Sequence, residues 1–373
     1  MFKTTKILFL IDGLRLGGKE RRILELLKGL KTKKEIEIYV ISLIDQVDYK
    51  EFYNLNIDIL YLIKNDLGLY NTIFKLYKAC KMIKPDIVHS WSGLTTSIII
   101  PTTFFLNFTL INSQITNVPP SFNLFSLYYL QTKINFLFSN IITSNTIQGI
   151  KRLNSPRYKS ICIYNGFDYN RVDSMESSNI IKNKLNIKTD NVVGMIGSMD
   201  GKKDFESFIE AANNILLKFR NITFLVIGNG NLISKYKSLV KLNNKNKIIF
   251  TGALSNVENI IKIMDIGVLM TNSEIHGEGV SNVILEFMAM GKPVIASKGG
   301  GTAEIIDNNK SGFLINPGDI ESLKNRINIL LKDKELSIRM GLHGKGIVKD
   351  KFNFTRMIEK FISIYKSEFK ISN

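Results

Sequence analysis

The sequence predicts an α/β fold in which two doubly wound parallel sheets form two separate domains. At 373 residues the chain is longer than a single hydrophobic core usually supports, and two domains of about 150–200 residues each are expected. Apolar residues make up 45% of the chain and charged residues 22%, which excludes a wholly disordered protein. Short β-branched runs alternate with amphipathic stretches, as parallel strands alternate with crossover helices.

Apolar runs predict the strands of an N-terminal domain, which we assign to residues 1–168. These runs are Lys6–Ile11, Ile36–Ser42, Ile57–Leu62, Ile87–His89, Thr109–Ser113, Ile141–Thr143 and Ser160–Tyr164.

A polar segment, Asp168–Asn191, is the predicted connection to a C-terminal domain, which we assign to residues 169–354. We expect the segment 355–373 to contain a last helix that crosses back to the first domain. The strands predicted for the C-terminal domain are Val192–Ile196, Thr223–Ile227, Ile248–Thr251, Ile266–Met270, Pro293–Ala296 and Gly312–Ile315.

The uncharged stretch from Ser90 to Thr132 is long enough to be considered as a membrane span. Pro101, Asn107 and Asn112, with repeated Thr and Ser, divide it into pieces shorter than the roughly 20 apolar residues that a span needs. We therefore interpret it as helix, strand and loop of a buried α/β core.

Glycine-rich loops follow several predicted strands, at the place where doubly wound sheets bind ligands. The first loop contains Gly17 and Gly18 and opens a helix whose free N–H groups favour an anion. Neither this loop nor Gly228–Gly230 has the GxGxxG spacing of a dinucleotide site, which argues against an oxidoreductase. Taken alone, each loop is equally consistent with a tight turn.

The segment Ser273–Pro293 is the most informative about chemistry. Ser281 is a good N-cap and Gly291, followed two residues later by proline, is a good stop, so a helix of about ten residues is predicted between them. Glu278 precedes this helix, and Glu286 lies just over one turn inside it. A diphosphate is favoured at such an N-terminus, where two carboxylates would flank it. An isolated pair of glutamates at this spacing is more often structural.

The neighbours of the two glutamates resemble a known signature. The spacing Glu-x7-Glu, with Gly279 after the first and Phe-Met-Ala-x-Gly-Lys-Pro-Val-Ile-Ala after the second, resembles that of the retaining GT-B glycosyltransferases of family four. Further segments similar to that family's motifs follow in order, so the resemblance covers nearly the whole chain. They are Gly17-Gly18 with Glu20, Pro85–His89 (PDIVH), Asn165–Asp168 (NGxD), Ile196–Asp204 (VGRLxxxKG), Gly228–Gly230 (GxG) and Gly299–Glu304 (GGxxE).

The resemblance implies two Rossmann-like domains, an N-terminal one that binds the acceptor and a C-terminal one that binds the donor. It implies transfer of a sugar from a nucleoside diphosphate sugar, with a UDP-sugar favoured, to a glycan or polyprenyl-linked acceptor, as in bacterial capsule or lipopolysaccharide synthesis. The leaving phosphate is expected to take the acceptor's proton in a front-face attack. We expect no cofactor and no metal, because no DxD pair occurs in the sequence.

The family's roles carry over to the matching residues. Lys203 is expected to neutralise the diphosphate, Glu278 to bind the donor sugar and Glu286 to bind the donor ribose, with Lys203 and Glu278 as the catalytic residues. The Gly17-Gly18 loop is expected to lie close to the phosphates and the acceptor. The other predicted donor-binding residues are Ser198, Gly279, Val280, Ser281 and Asn282.

This chain departs from the family pattern at two places. Ser198 stands where most relatives have an arginine, which leaves Lys203, with Lys202, to neutralise the diphosphate. The loop Ser113–Asn117 lacks the histidine that many relatives have there, and we take Asn117 as a residue of the acceptor side. These departures keep a non-catalytic nucleotide-sugar-binding or nucleic-acid-binding protein as the alternative function.

The chain has three histidines. His89 ends a predicted strand and is a candidate for the acceptor side, although a hydrogen-bonded core histidine is equally consistent. His276 is a candidate for a donor contact. His343 lies between Gly341 and Gly344 and is expected in a surface turn.

The formal net charge is +17, and the N-terminal domain holds a dense series of lysines and arginines from Lys19 to Lys34 and from Lys75 to Lys84. No helix-turn-helix, zinc finger or RNP-type pattern accompanies them, so no nucleic-acid partner is expected. Anionic lipid headgroups explain the charge better, and the aromatic segment Phe122–Phe138 would suit such an interface, although a buried helix fits it equally. We expect a cytoplasmic protein, peripheral on the inner face of the plasma membrane.

Overall fold

A computed structural model describes residues 4–62, 64–117, 126–173 and 175–367. The chain divides into two compact units. The first contains the described residues of Met1–Thr116, Ser121–Gly166 and Phe354–Asn373, and the second those of Asn117–Pro120 and Phe167–Asn353.

The first unit is built on a seven-stranded parallel sheet with the order β3-β2-β1-β4-β5-β6-β7. The order reverses beside β1, which makes the carboxyl ends of β1 and β4 a topological switch point. The strands are β1 (Thr5–Ile11), β2 (Ile36–Ser42), β3 (Ile59–Tyr61), β4 (Ile87–Ser90), β5 (Thr109–Ile115), β6 (Ile141–Ser144) and β7 (Ser160–Cys162).

Helices cover both faces of this sheet, as buried parallel strands require. One helix is interrupted at Gly68, where the backbone leaves the helical conformation. The α-helices are α1 (Gly18–Lys31), α2 (Lys64–Ile83), α3 (Gly93–Thr103), α4 (Leu127–Phe138) and α5 (Ile147–Arg152), with 3₁₀ turns at Lys50–Leu55 and Arg157–Lys159.

The second unit repeats the arrangement on a six-stranded parallel sheet with the order β10-β9-β8-β11-β12-β13. Its switch point lies between β8 and β11, which are direct neighbours. The strands are β8 (Asn191–Ile196), β9 (Ile222–Ile227), β10 (Ile248–Gly252), β11 (Ile266–Leu269), β12 (Val294–Ser297) and β13 (Gly312–Ile315).

The helices of the second unit follow its strands in the crossover pattern expected of a parallel sheet. They are α6 (Ser178–Lys184), α7 (Phe205–Ile215), α8 (Ile233–Ser238), α9 (Val257–Lys262), α10 (Asn282–Ala289), α11 (Thr302–Ile305), α12 (Ile320–Lys332) and α13 (Lys334–Lys351), with 3₁₀ turns at Tyr169–Val172 and Leu242–Asn244.

A last helix, α14 (Phe354–Ser367), belongs to the first unit although it follows the second in the chain. Its residues Phe361 and Tyr365 are buried in the core that α1 also lines. A side chain at Gly29 of α1 would lie 2.5 Å from Ile358 Cγ1, so the glycine allows the two helices to approach closely.

Each predicted strand is present, and the ends differ by a few residues. β5 continues to Ile115 rather than ending at Ser113, and β7 ends at Cys162 rather than Tyr164. The uncharged stretch contains α3 and β5, as expected. Within the described ranges no helix is both long enough and apolar enough to cross a membrane.

Two predictions about surface residues are wrong. Arg21 and Arg22, counted in the basic series, are only 5% and 2% exposed, because α1 packs on the sheet through this face. His343 is not in a turn: Gly341 and Gly344 lie inside α13, where they pack closely against α10. The two glycines allow close contact between α13 and α10, and the chain does not reverse direction at them.

Candidate active site

The loops after β8 and β11 meet at the switch point of the second sheet. The residues around Lys203 and Thr271 pair as an isolated antiparallel bridge. Asp204 N donates to Met270 O at 3.0 Å, and Asn272 N donates to Lys202 O at 3.0 Å. These backbone bonds fix the position of Lys203 relative to the loop that carries Glu278.

Lys203 and Glu278 form an ion pair in which the Nζ group donates to Oε1. The same oxygen accepts a hydrogen bond from Thr271 Oγ1 at 2.9 Å. The two charged side chains are 14% and 8% exposed, so little water screens them from one another. Lys203 can take this course because position 197 is glycine: a Cβ there would lie 2.7 Å from Lys203 Cγ.

Glu278 is held ionised by its surroundings. Burial acts to raise the pKa of this carboxyl, but the charges of Lys203 and His276 and the hydrogen bond from Thr271 outweigh it. The pKa of Glu278 therefore lies below its usual 4.5. A buried carboxylate beside an ammonium group can orient sugar hydroxyls as a hydrogen-bond acceptor.

His276 lies beside this pair, with Nε2 3.9 Å from Glu278 Oε1. Burial lowers the pKa of His276 below 6.5, and the charge of Glu278 opposes that effect only in part.

Lys202 and Ser198 contact a different carboxylate, that of Asp200. Lys202 Nζ lies 2.9 Å from Asp200 Oδ2, and its side chain is 51% exposed. Ser198 is exposed, and its hydroxyl donates to Asp200 Oδ1 at 3.0 Å. The structure thus separates the two adjacent lysines: one is buried against Glu278, and the other pairs with a surface carboxylate.

The helix α10 begins where the sequence predicts, directly after Ser281. Its N-cap position is confirmed, but the Ser281 side chain does not make the expected capping hydrogen bond. Val280 is buried, whereas Ser281 and Asn282 are partly exposed at the helix N-terminus. The Phe287 ring of α10 packs directly over Gly267 of β11. This contact fixes the helix on the sheet.

A glycine loop supports the backbone of Glu278 and Gly279. Gly301 N donates to Glu278 O at 2.7 Å. At Gly300, where φ is +52°, a Cβ would overlap that same carbonyl oxygen, and at Gly301 it would lie 2.6 Å from Gly279. The motif Gly299–Glu304 therefore holds the loop of Glu278 in place, a role that the sequence alone did not indicate.

Glu286 is 5% exposed and is held by an arginine that sequence reasoning missed. Arg171 Nη2 donates to Glu286 Oε1 at 2.7 Å. The same nitrogen forms an ion pair with Glu258. The signal available in the sequence was the position of Arg171, three residues after the motif Asn165–Asp168.

In the first unit the loop with Gly17 and Gly18 follows β1 at its own switch point. Leu16 N donates to Asp48 Oδ2 at 2.9 Å, and Tyr49 donates its hydroxyl hydrogen to Gly17 O at 3.3 Å. Gly17 takes the N-cap position of α1 and supplies no side chain there. The helix N–H groups after it are the anion-favouring feature that the sequence predicts.

The prediction that His89 lines the acceptor side is wrong. His89 is fully buried, with Nδ1 2.8 Å from Tyr365 Oη and Nε2 2.6 Å from Ser113 Oγ. Both ring nitrogens are used inside the core, so the alternative of a core histidine is confirmed. Burial, with the charge of Arg22, holds the pKa of His89 well below 6.5. Asn117 is partly exposed just after β5.

Residues 177–346 match the profile of the family described as glycosyl transferases group 1. Over 361 residues the chain is 26% identical to the capsular polysaccharide biosynthesis glycosyltransferase CapM of Staphylococcus aureus, an alignment that covers 91% of this chain and 92% of that protein. It is 29% identical over 222 residues to the UDP-Gal:alpha-D-GlcNAc-diphosphoundecaprenol alpha-1,3-galactosyltransferase of Escherichia coli, covering 58% of this chain and 56% of that protein.

Solved structures share the fold at low sequence identity. HepE of Anabaena, in complex with UDP-glucose, superimposes with a TM-score of 0.86 at 19% identity, covering 97% of this chain and 99% of that chain. A glycosyltransferase from Rickettsia africae superimposes with a TM-score of 0.82 at 23% identity, covering 98% and 99%. These likenesses confirm the predicted GT-B fold class.

Proposed function

We propose that this chain is a group 1 glycosyltransferase, and that it transfers a sugar from a UDP-sugar to a glycan or polyprenyl-linked acceptor with retention of anomeric configuration. The observation that carries the proposal is the meeting of Lys203 and Glu278 at the switch point of the second sheet, beside the N-terminus of α10. The names of the relatives, which include a capsular polysaccharide enzyme and a UDP-Gal-dependent transferase, support the donor and the acceptor class.

In the proposed reaction the donor is held from three sides. Glu278 accepts hydrogen bonds from the sugar, Glu286 accepts them from the ribose, and Lys203 neutralises the diphosphate together with the N-terminus of α10 at Ser281 and Asn282. The backbone of Gly279 and Val280 lies beside the sugar, and the hydroxyl of Ser198 lies near the phosphates.

The acceptor hydroxyl oxygen attacks the anomeric carbon on the face that the diphosphate leaves. The bond between that carbon and the phosphate oxygen breaks, and the leaving phosphate takes the proton of the attacking hydroxyl. Charge grows on the diphosphate as it leaves, so Lys203 and the α10 N–H groups stabilise the transition state more than the bound donor. Turnover without a metal ion is part of the proposal.

A donor panel tests this function. The protein is incubated with UDP-, GDP- and ADP-sugars, with and without EDTA, and the released nucleoside diphosphate is measured by chromatography. We expect slow hydrolysis of a UDP-sugar that EDTA leaves unchanged and that Glu278→Gln abolishes. Tight nucleotide binding with no hydrolysis and no transfer to cell-envelope extract would instead indicate the non-catalytic alternative.

We also propose that the first unit binds the anionic inner face of the plasma membrane through α2, the end of α3 and α4. Four α4 side chains at helical spacing are exposed: Leu127 (84%), Leu130 (56%), Ile134 (44%) and Leu137 (71%). The alternative interpretation, in which this segment forms a buried helix, is therefore wrong for the face of α4 that carries these four side chains. The predicted residues Phe122–Phe125 lie outside the described part of the chain.

Exposed aromatic rings connect these helices. Phe104, 66% exposed, lies 5.5 Å from the Phe138 ring of α4, and Phe105, 75% exposed, lies 6.1 Å from the Tyr77 ring of α2. Residues 87–167 contain no aspartate or glutamate, and exposed lysines occupy α2. Exposed aromatic residues and lysines, beside a segment from 87 to 167 that has no acidic residue, suit an anionic bilayer.

Cosedimentation with vesicles tests this surface. We expect binding to phosphatidylglycerol vesicles, weaker binding to phosphatidylcholine, and a clear loss when Phe104 and Phe105 are both replaced by serine. Leu342→Ser is the matched control, since Leu342 is 62% exposed on the second unit. Equal binding by both variants and the wild type would contradict the proposal.

A further inference from the structure

Three buried charged side chains meet in the second unit, in a cluster that we call the arginine bridge: Arg171, Glu258 and Glu286. Arg171 Nη2 contacts both carboxylates: it lies 2.7 Å from Glu286 Oε1 and also pairs with Glu258 Oε1. The side chains of Glu258 and Glu286 are 3% and 7% exposed, and that of Arg171 is 10% exposed. Charges this deeply buried are stable only when they are paired.

The arginine bridge connects three separate elements. Arg171 lies in the 3₁₀ turn Tyr169–Val172, which Asp168 caps by accepting a hydrogen bond from Asn170 N at 3.1 Å. Its guanidinium lies 5.1 Å from the centre of the Phe167 ring. Glu258 lies in the first turn of α9 and Glu286 in α10. One side chain therefore sets where the carboxylate of Glu286 lies relative to its own helix.

The charges explain why the arginine is needed. Both carboxylate oxygens contact the same nitrogen, so they lie only a few ångström apart. Without the guanidinium, two buried negative charges would repel one another, and Glu286 would turn away from Glu258. A carboxylate has about four lone-pair sites, so Glu286 can accept from the guanidinium and from a ligand at once.

We infer that Arg171 is a positioning residue that holds the Glu286 carboxylate in the orientation in which it accepts hydrogen bonds from the donor ribose. Glu258 anchors the guanidinium from the opposite element. The inference rests on the proposed ribose-binding role of Glu286. It assigns Arg171 no contact with the substrate.

The test measures recognition of ribose hydroxyls directly. Dissociation constants are determined by calorimetry for UDP and for 2′,3′-dideoxy-UDP, and their ratio reports what the hydroxyls contribute to binding. We expect the wild type to prefer UDP by tenfold or more and Arg171→Met to reduce this preference to within about threefold of unity. The double variant Arg171→Met/Glu258→Gln, which removes the repelling charge, should recover part of the preference.

Further variants separate this role from a structural one. Arg326→Met is the matched control, because Arg326 also lies over an aromatic ring, 4.5 Å from the centre of Phe313. It should leave the UDP preference unchanged. If Arg171→Met is too unstable to measure, Arg171→Lys keeps one positive charge and should show an intermediate preference.

The outcomes are distinguishable. If Arg171→Met weakens the binding of both nucleotides equally, or changes neither, the positioning role is wrong. If the double variant shows no more preference than Arg171→Met, charge repulsion is not the cause. If Glu286→Gln leaves the preference of the wild type intact, the ribose role of Glu286 fails, and the proposed function fails at that residue independently of Arg171.

Discussion

Lys203 is a buried cation that pairs with Glu278, and position 198 of the same loop is a serine and supplies no second cation. Its amine is held by Glu278, while the neighbouring Lys202 is held by Asp200 at the surface. In the proposed reaction, the diphosphate of the donor would therefore meet a cation whose position is already fixed. Fixed charges stabilise a developing anion without reorganisation during the reaction.

We therefore predict that Lys203→Ala lowers kcat by about a hundredfold or more, since one such donor is worth about 3–4 kcal/mol in a transition state. Lys202→Ala is the control and should change kcat by less than about threefold. Adding Ser198→Arg to Lys203→Ala should restore part of the rate. Steady-state kinetics measures kcat, and thermal melting checks that each variant is folded. Equal, mild decreases in kcat for both lysine variants would mean that this loop is only a basic turn.

His89 gives the first unit a pH-dependent stability. Its pKa in the native state is well below 6.5, because burial and the charge of Arg22 disfavour the imidazolium. Below pH 6.5 the unfolded chain therefore binds a proton at His89 that the native unit does not bind. A group with a lowered pKa of this kind stabilises the fold above its unfolded pKa, and this stability is lost as the pH falls.

As the pH falls below 6.5, we predict that the wild type loses unfolding free energy through this residue, at a limiting slope of about 1.4 kcal/mol per pH unit. His89→Gln keeps hydrogen-bonding groups but cannot titrate, so its stability should fall less steeply. Urea unfolding followed by the fluorescence of Trp91, the only tryptophan, measures the difference. Parallel slopes for the two proteins would show that His89 is protonated in the native state.

At the scale of elements, close packing of α13 against α10 depends on glycines. A Cβ at Gly341 would overlap the carbonyl oxygen of Gly291, the residue with φ +68° that follows α10. A Cβ at Gly344 would lie 3.2 Å from Met288 Cγ. Because α10 carries Glu286, the position of α13 affects the candidate site from behind.

Gly341→Ala should destabilise the second unit by about 1–3 kcal/mol, the usual cost of overpacking. The matched control is Gly346→Ala in the same helix, where nothing lies within 4 Å of the added methyl group. That variant should gain up to about 1 kcal/mol from helix propensity. Thermal unfolding compares them, and a neutral Gly341→Ala would mean that the helices separate at little cost.

The strands and the loop of Glu278 could be predicted because their signals are local. A run such as Val192–Ile196 is apolar throughout, as a strand buried on both faces must be. The arginine bridge could not be predicted in this way, because Arg171 and Glu286 are 115 positions apart. His89 likewise looked open to a ligand because its partner Tyr365 is 276 positions away.

At the scale of the whole molecule, the two units have separate hydrophobic cores. Trp91 lies in the core of the first unit, 6.1 Å from the ring of Phe361 in α14. Its fluorescence therefore reports on that unit and on the docking of the last helix.

Phe361→Ala should cost about 3–5 kcal/mol, the typical effect of removing a buried phenylalanine, and should shift the unfolding transition seen by Trp91. Phe208→Ala is the control, since Phe208 is equally buried in the second unit. It should shift the Trp91 transition much less. Equal shifts would show that the units unfold as one.

The return of α14 to the first unit sets an order for folding during translation. Residues 167–353 separate the two parts of that unit, so a ribosome adding about 5–20 residues per second needs roughly 10–40 s to pass from one part to the other. The second unit is nearly continuous in sequence and is complete as soon as it has emerged. Until α14 is synthesised, the surface of the first unit that packs against it stays exposed to solvent. The unit whose synthesis begins first is therefore the last to complete its fold.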